Sequence, residues 1–385
     1  MIKLAFVALL LAAHLVQAIA DPCAPSAFAG RPGVLPALMR VDAGGHPCGL
    51  PAAPLKSSIG LTAALPAAAR LRAIDLGTLG GGYSAARAVN DQGDVAGESS
   101  LPDFSQRAFV WRHGVMRDMG TLGGEFSGAT GINNHGQVVG YSATPGGETH
   151  AFVGRIGAGT LIDIGTLGGT YSYATAVNDA GQVVGGSTTA GDGELHAFVW
   201  LPATGMIDLG TLGGGFSFAR GINGRGQAVG TSSNALFEQH AVRWRPLQFP
   251  ADLGAPPGFT IADAAGININ GTIVGFANQA VHNPHAFAWR QGAWTNLGAS
   301  FPDAQTEATG VNDAEEVVGS VFFTTPDGTT TGKALVWNRR GVALDLSSLI
   351  GGDSSFGHAI NSKGHVVGMA QLPGSSEYHA YLLRR

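Results

Sequence analysis

Residues 130–169 read T-G-I-N-N-H-G-Q-V-V-G-Y-S-A-T-P-G-G-E-T-H-A-F-V-G-R-I-G-A-G-T-L-I-D-I-G-T-L-G-G. Four short apolar stretches stand between turn residues, and none is long enough for a helix of ordinary length. Strands are expected at residues 129–133, 137–142, 150–155 and 161–165, here named a to d in chain order. The a–b link is Asn-Asn-His-Gly; Asn tolerates the left-handed region and Gly supplies positive φ, so a tight hairpin turn follows.

The unit recurs. Its Asn stands at Asn90, Asn133, Asn178, Asn223, Asn268, Asn312 and Asn361, at intervals of 43, 45, 45, 45, 44 and 49 residues. Seven residues after each Asn comes a Gly, from Gly97 to Gly368. Four antiparallel strands at this period describe a propeller blade. An orphan d-like stretch, R-A-I-D-L-G at residues 72–77, precedes the first unit, while the last unit ends after its c strand. The expected fold is therefore all-β: a seven-bladed β-propeller of four-stranded antiparallel blades, closed by an N-terminal strand that completes the last blade. Closure would hide two strand edges from aggregation.

Residues 1–20 carry one Lys, an apolar run and a small-residue end, the pattern of a secretory signal cleaved before Asp21. Residues 21–70 form a Pro/Ala-rich arm or linker holding both cysteines, Cys23 and Cys48, and an exported chain with two cysteines is expected to pair them. Such a bond contributes on the order of 3 kcal/mol of ordering. Residues 71–385 are the repeat domain. The formal net charge is −5 and only 13% of residues are charged, without Lys/Arg runs, which argues against nucleic acid as a partner. After signal removal no integral membrane segment is expected, and the chain is read as a monomer, secreted or periplasmic.

H-A-F at Ala151, Ala197 and Ala286, preceded by G-x-[VI]-V-G and followed by D-[LI]-G-T-L-G-G, resembles the HAF family of extracellular repeats. The resemblance covers about four-fifths of the chain and implies an exported bacterial repeat protein. Units four to six drift from it: Leu253-Gly254-Ala255-Pro256 replaces L-G-T-L, and Lys333-Ala334-Leu335 replaces H-A-F.

Before the c-strand Ala stand Arg107, His150, His196, His240, His285, Lys333 and His379. Equivalent positions spread around a ring cannot converge on one zinc ion, so no metal is expected. The d strands offer Asp118, Asp163, Asp208, Asp252, Asn296, Asp345 and Asp75, so each donor faces an acceptor across the c–d hairpin, which reads as a structural latch. The d–a loops place Tyr83, Phe126, Tyr171 and Phe216 at one repeated position, where rings can stack on sugars or wedge between blades. Three residues before each Asn stand Arg87, Thr130, Thr175, Arg220, Ala265, Thr309 and His358. This position varies on a constant scaffold; Arg87, Arg220 and His358 either hold an anionic or hydroxylated ligand near the axis or line a channel and bond to water. The b–c loops vary most, with a long one at residues 322–332 that includes Phe323.

The candidate ligand-binding set is thus Arg87, Arg220, His358, Tyr83, Tyr171 and Phe323, with no catalytic residue and no cofactor. No G-x-S-x-G, D-x-D-x-D or H-E-x-x-H motif occurs. Acidic residues on strand a are essentially Asp263 and Glu307. The expected function is a secreted, non-enzymatic module binding a glycan or protein through its top face. The alternatives are a polysaccharide lyase or hydrolase on the same fold, and a purely structural surface protein.

Overall fold

The computed structural model describes residues 72–384 apart from 247, 280, 281, 303 and 325–329. The expected signal, the 21–70 arm and the Cys23–Cys48 bond lie outside the described residues.

The described chain is mostly strand, in antiparallel ladders of four. In the first unit a is Ser84–Val89, b Val95–Ser100, c Gln106–Arg112 and d Val115–Asp118, paired in that order. The second runs Ser127–Ile132, Gln137–Ala143, Thr149–Arg155 and Ile162–Asp163. This second ladder and the next two join into one twelve-stranded sheet through the single parallel bridges Tyr171 to Thr149 and Leu195 to Phe216. The N-terminal strand Arg72–Asp75 pairs antiparallel with the C-terminal strand Tyr378–Arg384, from Arg72 opposite Arg384 to Asp75 opposite Tyr381. Where D-L-G-T-L-G-G has drifted, the d–a links fold instead as a 3₁₀ turn, Gly298–Ser300, and one helical turn, Ser347–Ile350.

Each ladder is covered on both faces, which is why the b strands read as apolar runs rather than alternating ones. Val138 packs with Ala96, Ala108 and Val110 of the first unit. The adjacent Val139 packs with Ala174, Val183 and Phe198 of the third. The apolar core therefore lies between units. The cluster of Leu76, Val367, Ala380 and Leu382 with Ala86, Phe109 and Trp111 joins the two chain ends to the first unit.

The repeated residues now have physical reasons. Each Asn side-chain oxygen accepts backbone N–H groups of its own turn, as at Gln137 N–H to Asn133 Oδ1, 2.9 Å. Each Nδ2 donates to the carbonyl of the corresponding Asn in the next unit: Asn133 to Asn178 at 3.0 Å, Asn178 to Asn223 at 3.0 Å, Asn223 to Asn268 at 2.9 Å. The series continues to Asn361, whose Nδ2 donates to the Asn90 carbonyl at 2.8 Å. The Gly seven positions later permits a close backbone approach: a Cβ at Gly140 would stand 2.0 Å from the Gly128 carbonyl oxygen. The Ser of [YF]-S fastens one unit to the last. Ser127 Oγ donates to the Gly120 carbonyl at 2.6 Å and accepts the Ala108 N–H at 2.9 Å.

The latch forms as expected. His150, His196 and His240 place Nδ1 2.7, 2.7 and 2.8 Å from Asp163, Asp208 and Asp252. His379 lies 3.0 Å from Asp75 across the chain ends. Lys333 reaches Asp345 at 3.3 Å and Arg107 reaches Asp118 at 4.0 Å. Asn296 donates to His285 Nδ1 at 3.3 Å.

Candidate functional site

Strand a carries a register shift in every unit, and the residue it displaces is the one three before the Asn. The shift falls between Ala86 and Ala88, between Ala129 and Gly131, and so on to the one between Gly357 and Ala359. Arg87, Thr130, Arg220 and His358 are thus bulge residues, and a bulge re-aims the side chain it carries. Thr130 Oγ1 donates to the Ala174 carbonyl of the next unit at 2.8 Å, and Thr175 and Thr309 do the same at 2.9 Å. His358 Nδ1 donates to the Ala86 carbonyl at 2.8 Å. Burial, with the charge of Arg87 nearby, pulls the His358 pKa down to about 3, so the ring is neutral at physiological pH.

The two arginines depart from this pattern and build a site. Arg87 pairs with Glu98 on its own b strand through Nε at 3.0 Å and a second guanidinium nitrogen. Glu98 is 3% exposed against 28% for Arg87, so the carboxylate is the buried partner and the guanidinium the reachable one. The second Glu98 oxygen accepts Gln106 Nε2 at 2.6 Å and Tyr141 Oη at 2.8 Å. Burial first, then the Glu98 carboxylate, push the Tyr141 phenol well up, which keeps it a donor. Burial opposes the Arg87 charge, yet Glu98 outweighs it and the guanidinium stays protonated.

Tyr141 stacks on Tyr173 at 4.6 Å between centroids, and Tyr173 lies 6.2 Å from Phe218. Arg220 sits over the Phe218 ring at 5.5 Å and pairs with Asp263 of the following unit through Nε, 2.8 and 2.9 Å. An arc of three rings flanked by two charge pairs runs from Arg87 to Asp263. The two tyrosine rings are matched by glycine as cross-strand partners, Gly128 opposite Tyr141 and Gly186 opposite Tyr173. A Cβ at Gly128 would stand 2.5 Å from Tyr141 Oη.

Of the residues singled out in the sequence, Arg87, Arg220 and His358 share the bulge position. The aromatics do not stand on open loops. Tyr171 and Phe216 lie inside strands Gly168–Val177 and Gly213–Ile222, and Tyr171 is only 4% exposed. Tyr83 bridges to Tyr378, and its hydroxyl lies 3.9 Å from Met369 Sδ. Phe323, expected in a loop, is in strand Val317–Thr324, packed on the core beneath the Lys333 ammonium. The strand is longer than expected because Phe323 and Thr324 pair with Thr331 and Thr330. The reading of the sequence passed over Glu98, Gln106, Tyr141 and Tyr173. Glu98 and Tyr141 directly follow the repeated Gly, and a residue that changes from unit to unit beside an unchanging one is the signal that could have found them.

The b–c rim presents two exposed rings, Phe104 at 77% and Phe237 at 80%. Both hold positive φ, 66° and 62°, where the second unit uses Gly147. A bulky side chain held in that conformation is strained.

Among the described residues no cluster of His, Cys, Asp and Glu could hold a metal, and no helix is long and apolar enough to cross a membrane. No family model matches the chain, and no curated protein sequence matches it. Its likeness is to solved structures. The β-propeller domain of the Trilobed protease from Pyrococcus furiosus, described as having an open velcro topology, is 9% identical with a TM-score of 0.55, over 78% of this chain and 95% of that one. An acylaminoacyl peptidase from Pyrococcus horikoshii is 9% identical with a TM-score of 0.50, over 78% of this chain; the chain spans about half the peptidase's length. The BP39L lectin from Burkholderia pseudomallei is 10% identical with a TM-score of 0.45, over 81% of this chain and 95% of the lectin. At these identities the first two show the fold alone. The chain is a β-propeller of four-stranded antiparallel sheets.

Proposed function

We propose that this chain is a seven-bladed propeller whose ring is closed by Arg72–Asp75, acting outside the cytoplasm as a binding module for a neutral, hydroxyl-rich ligand, a glycan. The head-to-tail asparagine series that returns from Asn361 to Asn90, together with the pairing of the chain ends, supports the closed ring. Export, the Cys23–Cys48 bond and membership among HAF-type repeat proteins belong to the same reading. An intact mass that begins at Asp21, with alkylation only after reduction, tests the first two.

The observation that carries the binding function is the arc on the inner strands. Arg87 and Arg220 each present donors in a fixed plane while their charge is already balanced by Glu98 and Asp263. Fixed donors without net charge suit hydroxyl groups better than anions, and the partly exposed Tyr173 ring offers an apolar face for a sugar ring. A glycan array with the intact chain tests the reading. The expected result is a hit lost with Tyr173→Leu and with Arg220→Lys, which keeps a cation beside the buried Asp263, in chains that still melt cooperatively; hits indifferent to both changes would reject the arc. Product release from a hit would instead support the polysaccharide lyase or hydrolase reading.

A further inference from the structure

The fourth residue after the latch donor on strand c is Trp111, Trp200, Trp244, Trp289 and Trp337 in five units, and Leu383 in the last. In the second unit it is Gly154. These tryptophans lie in the seams between units: Trp111 packs with Leu382 and Val367, Trp244 with Ala197 and Val184. The seam between units one and two has no indole. Gly154 does not have positive φ, so its backbone does not demand glycine, and what matters is the missing side chain. A Cβ there would meet Leu161 Cδ2 at 2.9 Å and Met119 Cε at 3.0 Å, so two flexible side chains fill the place beside Gly154 and the seam is closed by thin aliphatic chains instead of an indole.

A groove of about 620 Å³ opens at this seam. Val110, Met119 and Ile156 supply its apolar surface, and Arg112, Arg117 and Arg155 its positive charge. Arg112 is held by Asp94 at 3.2 Å, and the Asp118 carboxylate, which also lines the groove, faces Arg107 and accepts the Gly120 N–H. Among the described residues the guanidinium groups of Arg117 and Arg155 have no ion pair and no hydrogen bond. The seam therefore combines space for a flat ring with two uncompensated planar cations, one from each unit.

We propose that this groove binds a small aromatic carboxylate, its ring against Val110, Met119 and Ile156 and its carboxylate on Arg117 and Arg155. Planar guanidinium groups match a carboxylate in a bidentate way, and the apolar surface accepts the ring. The site lies at the outer seam of two units, and its test does not depend on the glycan reading.

Titration calorimetry of the intact chain with indole-3-acetate, with indole and acetate alone as controls, tests it. Saturable binding is expected for indole-3-acetate, with indole and acetate each at least about tenfold weaker, and an affinity that falls as salt rises. Arg117→Gln with Arg155→Gln is expected to weaken indole-3-acetate at least about tenfold and leave indole unchanged. Ile156→Glu, which puts a carboxylate on the apolar surface of the groove, is expected to weaken both indole-3-acetate and indole. If that variant does not fold, the arginine pair and the controls still decide. No binding by the wild type, equal binding of indole, or indifference to the arginine changes would each overturn the proposal.

Discussion

The asparagines and the bulge residues lie three positions apart on the same strands, yet the two sets behave differently. The Asn is the same in every unit and makes the same two kinds of contact in each, to its own turn and to the next unit's carbonyl. The bulge residue is Thr in three units, Arg in two, and Ala or His in the others. The threonines and His358 span to the neighbouring strand, whereas the arginines turn to carboxylates. Identical side chains at identical places tie each unit to the next; the bulge position is free to differ because a bulge residue sits outside the ladder's own hydrogen-bond register. A binding site on a repeat fold is built where the repeat is allowed to break.

The largest test of the scaffold side is closure. Deletion through Gly77 uncovers the edge of Tyr378–Arg384 and removes Leu76 from the core. Loss of cooperative melting and aggregation on size exclusion are expected, while deletion through Pro66 behaves like the full chain. A soluble, cooperatively folding chain without residues 72–77 would break the comparison at its root.

Gly140→Ala comes next. Its Cβ would press on backbone rather than on a side chain that can swing away, so about 3 kcal/mol is lost, read from denaturant midpoints. The same change at Gly97 or Gly185 is expected to agree within about 0.5 kcal/mol, since the contact is repeated. Unequal costs would show that the scaffold positions are not equivalent.

His358 tests the bulge side through pH. Its folded pKa of about 3 lies below the ordinary value of 6.5, so between these values the unfolded chain binds the proton that the folded chain refuses. Stability tied to this group is intact above about pH 6.5 and declines as pH falls toward 3. His358→Gln is expected to flatten that limb of a pH series of melting temperatures. An unchanged limb would place the titration elsewhere. The smallest effect belongs to the latch. Asp208 is 41% exposed beside His196, so His196→Ala costs only about 0.5 kcal/mol at neutral pH. A loss as large as that at Gly140 would mean the latch holds the sheets together.

The period of the Asn and Gly, and the donor–acceptor pairs spaced across each c–d hairpin, were legible in the amino-acid sequence alone. They are local: each follows from turn geometry, side-chain alternation or a hairpin's reach, and each is written seven times. Four-stranded units, the pairing of the chain ends and the latch all came from that. The arc was not legible. Glu98 meets Arg87 across one hairpin but reaches Tyr141 of the next unit, and Arg220 meets Asp263 of the unit after its own. Those contacts depend on how sheets stack and on where the bulge aims a side chain. The same holds for Phe323, whose loop-like sequence pairs as strand, and for Tyr171, whose ring is enclosed by neighbouring units. Local spacing determined the repeat; stacking between units decided which side chains meet.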